Sequence, residues 1–226
     1  MRTLFQPLME SAQFRKAVSC LEKPAGHVLA DGCADSQKVH FAYALAESET
    51  IAPNARVRLF VTYSDLRARE ILEDCRFYDR GAVLFPAKDL IFYQADLRGR
   101  ELEAQRLRCL RRMIEGKRVT VVTTFSALMT PQVPLRVLKE NVLTLSRNET
   151  IHLDTIADRL AAMGYERNYQ VDSPGQFSIR GDIIDVYDLT EENPVRIELW
   201  GDDIDSIRSF DILSQRSIEE LESVRL

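Results

Sequence analysis

The 226 residues are 45% apolar and 29% charged, with nine glycines, eight prolines and four cysteines, which is ordinary globular usage and excludes a disordered, collagen-like or disulfide-scaffold chain. The formal charge of −5 conceals an asymmetry: residues 143–226 hold 8 Arg, no Lys and 18 Asp plus Glu, a net of −10, so residues 1–142 carry +5. An acidic second part is a poor non-specific binder of nucleic acid, whose phosphates demand surplus positive charge.

Apolar runs such as Leu59–Phe60–Val61 fall far short of the ~20 residues that a membrane span needs. The N-terminus lacks the apolar core of a signal peptide, and together these predict a cytoplasmic protein. Cys20, Cys33, Cys75 and Cys109 show no metal-ligand rhythm with the three histidines and read as reduced thiols.

In chain order, apolar positions from Leu4 to Leu21 approximate one helical stripe over 3–22. His27–Val28–Leu29–Ala30 reads as a short strand, Asp31–Gly32 as a turn, and 36–47 as a helix. Residues 56–62 are β-branched and apolar enough for a buried strand, and Ser64–Asp65 is a good cap for a helix reaching Cys75. A strand over 82–85 stops at Pro86, a helix follows over 97–115 with Gly116 at its end, and 119–124 is another buried strand. Strands alternating with helices predict a parallel sheet covered on both faces, hence an α/β domain over 1–142.

After Asn141 the pattern changes. One helix over 154–163 precedes strands at 176–180, 182–187, 194–200 and 205–210, spaced too closely for crossover helices. The expectation for 143–226 is a smaller α+β domain with an antiparallel sheet, and the abrupt end at Leu226 reads as a fragment of something longer.

The turn and helix at 28–47 sit where an α/β nucleotide fold would hold a phosphate loop. Against G-x-x-x-x-G-K-[ST], Gly32 and Lys38 fit, Gln37 replaces the second glycine, and Val39 replaces the magnesium-liganding hydroxyl. A side chain at 37 obstructs close approach of the backbone to phosphate, and Asp35 opposes a triphosphate by like charge. No acidic residue in 119–124 stands ready for a metal and an attacking water. The expectation is a degenerate loop, no catalytic residue, no metal and no cofactor.

In 195–200, Val195, Ile197 and Leu199 alternate with Arg196, Glu198 and Trp200, which puts the sole tryptophan on the polar face. In 176–180, Phe177 and Ile179 turn inward, and Ser178 and Arg180 outward. An exposed Trp flanked by arginines has the composition of a protein-binding hot spot; the alternative is that Trp200 caps a small second core and the arginines merely pair with nearby carboxylates. Asp202, Asp203 and Asp205 read as a solvated turn rather than a metal site. The helix with arginines at 98, 100, 106, 108, 111 and 112 also carries Glu101, Glu103 and Glu115; it reads as a solvated face, with duplex DNA or a neighbouring domain as the alternative.

The run Gly175-Gln-Phe-Ser-Ile-Arg-Gly-Asp-Ile-Ile-Asp-Val-Tyr187, followed by Val195-Arg-Ile-Glu-Leu-Trp-Gly-Asp-Asp-Ile-Asp-Ser-Ile207, resembles the module shared by the excision-repair protein UvrB and the transcription-repair coupling factors. The segment 210–221, with Ser214-Gln215-Arg216, is similar to the coupling factors and unlike UvrB, and so is the decayed phosphate loop. Phe85-Pro86, Gln105-Arg106-Leu107, 121–124 and Ala127-Leu128-Met129 also fit the family's first domain. The resemblance implies a degenerate P-loop (RecA-like) domain over 1–142 and a UvrA-binding domain over 143–226. It implies a non-catalytic recruitment module of a DNA translocase that brings excision repair to stalled RNA polymerase. UvrA contacts carried over by motif are Arg180, Arg196 and Trp200, the last replacing a more usual Phe. The family's C-terminal domain is implied to mask this face, and polymerase and DNA to be engaged by regions outside this chain. A nucleotide- or DNA-binding domain of a UvrB-type ATPase is the alternative.

Overall fold

The computed structural model describes residues 2–48, 51, 56–88, 96–116 and 118–226, excluding the side chains of residues 2 and 96–100. The chain divides into two compact units, Met1–Pro131 and Gln132–Leu226.

The first unit runs α1 (Arg2–Met9), α2 (Ala12–Leu21), α3 (Asp35–Ala46), β1 (Val57–Thr62), α4 (Asp65–Tyr78), β2 (Val83–Phe85), α5 (Asp96–Ile114), β3 (Val119–Thr124) and α6 (Phe125–Met129). Its three strands are parallel in the order β1-β3-β2. The helix expected over 3–22 is two helices, because the Ser11 hydroxyl accepts the Phe14 backbone N–H at 3.1 Å and starts a new one. The strand expected at His27–Ala30 carries no ladder: β1 pairs with β3, and Leu29 stands 92% exposed. Ser64 caps α4 as expected, accepting the Arg67 N–H at 3.2 Å.

Helices cover both faces of this sheet, unevenly. Phe5, Phe14, Val39, Tyr43, Leu72 and Val122 form the core beneath α1, α3 and α4. On the other face Cys109 of α5 and Ala127 of α6 pack with Phe85, Val119 and Val121, leaving Val57, Leu59 and Val61 of the edge strand β1 exposed.

Burial lifts the Cys75 and Cys109 thiols from 9.0 to about 12 and the Tyr43 phenol from 10.0 to about 12, since an apolar surrounding disfavours the anion. The folded state therefore holds these protons more tightly than the unfolded chain. Their contribution to stability is complete below about pH 9 and is lost as pH rises toward 12. Urea midpoints measured from pH 8 to 11 should fall across that window, and a flat profile would contradict the burial. At pH 8, a thiol reagent should label the half-buried Cys20 and Cys33 and leave Cys75 and Cys109 unlabelled until the protein unfolds.

The second unit holds α7 (Leu135–Glu140), β4 (Thr144–Ser146), α8 (Leu153–Ala162), β5 (Glu166–Arg167), β6 (Gln176–Arg180), β7 (Ile183–Tyr187), β8 (Val195–Trp200), β9 (Asp203–Phe210), β10 (Ser217–Glu220) and β11 (Ser223–Arg225). A six-stranded sheet runs β10-β9-β8-β7-β6-β5, antiparallel except that β5 lies parallel to β6. A separate antiparallel pair joins β4 to β11. One face of the large sheet contributes Phe177, Ile184, Val186, Val195, Ile197, Leu199, Ile204 and Ile207 to a core completed by Ile156 and Leu160 of α8 and by Leu145 and Val224 of the small pair. The alternation expected in β8 is realised, inner positions buried and Trp200 exposed.

Candidate functional site

The outer face of the six-stranded sheet brings the three candidate residues onto one surface. Two-residue turns, Gly181–Asp182 and Gly201–Asp202, close the β6–β7 and β8–β9 hairpins. Each opens with a glycine in the left-handed region, φ 58° and 64°, which suits the tight turns that follow strand twist. Because Ile183 pairs with both Arg180 and Glu198, both turns lie at the same end of the sheet. The Leu199 N–H donates to the Asp182 carbonyl at 2.9 Å. Arg180 and Trp200 are thus the last residues of their strands, at one rim.

The next row across four strands is Ser178, Asp185, Arg196 and Arg208. It departs from a simple outward reading, because Ser178 and Asp185 are each only 1% exposed. Asp185 is the hub of the row. Its Oδ1 accepts from Arg196 Nε at 2.7 Å, and its Oδ2 accepts from Arg196 Nη2 at 2.9 Å and from Arg180 Nη2 at 2.8 Å. Arg196 also lies over the Phe210 ring, 4.4 Å from its centre, and the Asp185 bonds hold its guanidinium above the ordinary arginine range. Bidentate pairing of this kind fixes a planar guanidinium more firmly than a point charge could be fixed.

Both arginines do pair with a carboxylate, as the alternative reading held, yet one buried carboxylate serves two guanidiniums. Glu198 is engaged by Arg208 and accepts from the Ser206 hydroxyl at 3.0 Å. Arg180, Arg196 and Arg208 thus stand against Asp185 and Glu198 on the strands, with Asp182 and Asp202 in the turns at the rim. Trp200, 84% exposed, caps no second core.

Two residues of the site escaped the sequence reading. Asp185 was legible only as a carboxylate between the core residues Ile184 and Val186, and its meaning appears once the strand register sets it beside Arg196. Gln215, whose Oε1 accepts from Arg196 Nη2 at 2.9 Å, comes from a turn that no periodicity predicts.

The phosphate-loop residues are engaged by their own chain. Gln37 Oε1 accepts the Ala34 N–H at 2.9 Å, and the Asp31 carboxylate accepts the Gly32 N–H at 2.7 Å, two donors a phosphate loop would offer its ligand. Asp35 pairs with Arg67 at 2.8 Å and Lys38 at 3.5 Å, and Val39 is buried in the core.

On α5, Arg106 turns inward over Phe85 and donates to the Pro86 carbonyl, while Arg108 and Arg111 face Glu101 and Glu115. The Arg98 and Arg100 side chains lie outside the described residues. Asp203 accepts from the Thr150 hydroxyl at 2.5 Å, and no cluster of His, Cys, Asp or Glu suited to a metal occurs among the described residues. No helix among them is long and apolar enough to cross a membrane.

Residues 143–226, which contain this whole face, match the family model described as the UvrB interaction domain. This stretch is similar to that domain along its whole length. The rest of the chain is covered by relatives called transcription-repair-coupling factors. The one from Bacillus subtilis is 37% identical over 221 residues, 97% of this chain and 18% of that protein. A Staphylococcus haemolyticus relative is 30% identical over 210 residues, 91% of this chain and 18% of its own length, and one from Staphylococcus aureus is 34% identical over 140 residues, 62% and 12%. The chain therefore spans 18% of the Bacillus protein it matches, and the stretch matched by the family model coincides with most of the second unit.

Proposed function

We infer that this chain is a recruitment module of a transcription-coupled repair factor, and that the stretch similar to the UvrB interaction domain docks UvrA through Arg180, Arg196 and Trp200. The observation that carries the reading is a fully presented tryptophan at the same rim as an arginine held by a buried carboxylate. Aromatic and Arg anchors with little conformational freedom left to lose are what a docking hot spot requires. The relatives' name and the matched family support a role in repair; UvrA as the partner, masking by a C-terminal domain of a longer protein, and engagement of polymerase and DNA by other regions belong to the proposal.

Calorimetric titration of the chain into UvrA tests it, with Arg196→Ala and Trp200→Ala beside the wild type. Binding that both substitutions weaken sustains the reading, and wild-type affinity in both variants removes this face from it.

The first unit is, in the same proposal, a nucleotide fold of the P-loop type that has lost its ligand and performs no catalysis. The loop donors and Lys38 already serve Gln37, Asp31 and Asp35, so Mg-ATP should produce no heat beyond dilution. Saturable binding of Mg-ATP would mean that Asp35 yields its place to phosphate, and the enzyme alternative would return.

A further inference from the structure

We propose that Gln215 is a positioning residue for Arg196, held to that task by the turn at 211–216; the proposal rests on the docking role of Arg196 given above. Three sides of the Arg196 guanidinium are occupied. Its Nε and Nη2 edge lies on Asp185, the second Nη2 hydrogen goes to Gln215, and one face lies over Phe210. Nη1 is left as the corner directed to a partner. Asp185 divides its Oδ2 between Arg196 and Arg180, and Gln215 gives Arg196 Nη2 an anchor that Arg180 does not share. The Gln215 bond stops the guanidinium from pivoting into a single-contact pairing with the shared carboxylate.

The turn is built to keep Gln215 in place. Its Nε2 donates to the Ile212 carbonyl at 2.9 Å, and its backbone N–H to the Asp211 carbonyl at 2.8 Å. Asp211 Oδ1 accepts both the Ser214 N–H, at 2.8 Å, and the Ser214 hydroxyl, at 2.7 Å, bonds that hold its carboxyl below the ordinary 3.8. The Asp211 N–H donates to the Arg216 carbonyl at 2.9 Å, closing the loop. Gln215 itself sits at φ 58°, a conformation a side-chain-bearing residue keeps only where its surroundings over-determine it. The amide is also chemically apt. It supplies an acceptor without adding a charge beside Asp185.

Two readouts test this, one without UvrA. In the free chain, the Arg196 Nε–H signal in a 1H–15N spectrum should exchange with water several-fold faster in Gln215→Ala than in the wild type. The remaining signals report that the fold is intact. In titrations into UvrA, Gln215→Ala should weaken binding about three- to tenfold, the range of one ordinary hydrogen bond after solvent competition. In an Arg196→Ala background the same change should have no effect. An unchanged Nε–H signal in Gln215→Ala overturns the positioning role whatever UvrA does, and equal weakening in both backgrounds overturns it in favour of a direct contact by Gln215. A faster-exchanging signal together with no UvrA binding by the wild-type chain means that the docking reading fails and takes this role with it.

Discussion

Asp185→Asn should destabilise the second unit by about 2–4 kcal/mol. The carboxylate is buried and accepts three charge-assisted bonds, each stronger than a neutral hydrogen bond. Asparagine keeps the shape but turns an N–H₂ group toward an arginine donor, and it leaves two guanidiniums without their shared counter-charge. Breaking a fully buried pair costs about 3–5 kcal/mol. The figure is discounted here because the Arg180 and Arg196 side chains remain 35% and 18% exposed and water softens their repulsion. At roughly 4–8 °C per kcal/mol for a unit of this size, the melting temperature should fall by about 10 °C or more. Circular dichroism melts of wild type, Asp185→Asn and the exposed control Asp202→Asn check this. A loss below about 1 kcal/mol would show that the arginines do not depend on this carboxylate, and the control should stay within about 0.5 kcal/mol of wild type.

Trp200→Ala has the opposite profile. Because the ring is exposed and β8 is anchored from its other face by Val195, Ile197 and Leu199, stability should move by less than about 0.5 kcal/mol. Affinity for UvrA should fall by about 2 kcal/mol or more, roughly thirtyfold, the behaviour of a central aromatic anchor. Trp200→Phe should recover most of it, since ring area rather than the indole N–H is the quantity invoked. A variant that melts like wild type and binds like wild type would place Trp200 outside the interface.

The contrast between these residues shows what a sequence can display. Trp200 was legible because β8 alternates cleanly and the side that a residue faces depends only on its parity along one strand. Asp185 was not, because its role depends on the pairing of β7 with both β6 and β8, and pairing register between strands is not a property of either alone. The same limit hid β4 and β11, three residues each and joined across nearly the whole unit, too short for any period to register. Where local chemistry decided, the reading was closer: Ser64 caps its helix as expected. Ser11 offered a similar local cue, but the apolar stripe on either side of it masked the break. The strand expected at His27–Ala30 had the composition of a strand and lacked a neighbour, which composition cannot supply. For the loop, Gln37 and Val39 signalled decay from sequence, whereas the capture of Lys38 and Arg67 by Asp35 needed coordinates.

The small β4–β11 pair also has a mechanical meaning. Leu143 and Leu226 exchange backbone hydrogen bonds in both directions, at 3.1 and 2.8 Å, so the segment that matches the UvrB interaction domain begins and ends at one point. A short peptide could join these positions and new ends could be opened elsewhere with the core intact, the condition under which circular permutation succeeds. Tension applied at 143 and 226 would load this antiparallel pair bond by bond from its open end, as a zipper, and not in shear along its length. The pair would part first under load, while the sheet that carries Arg196 and Trp200 stayed folded behind it.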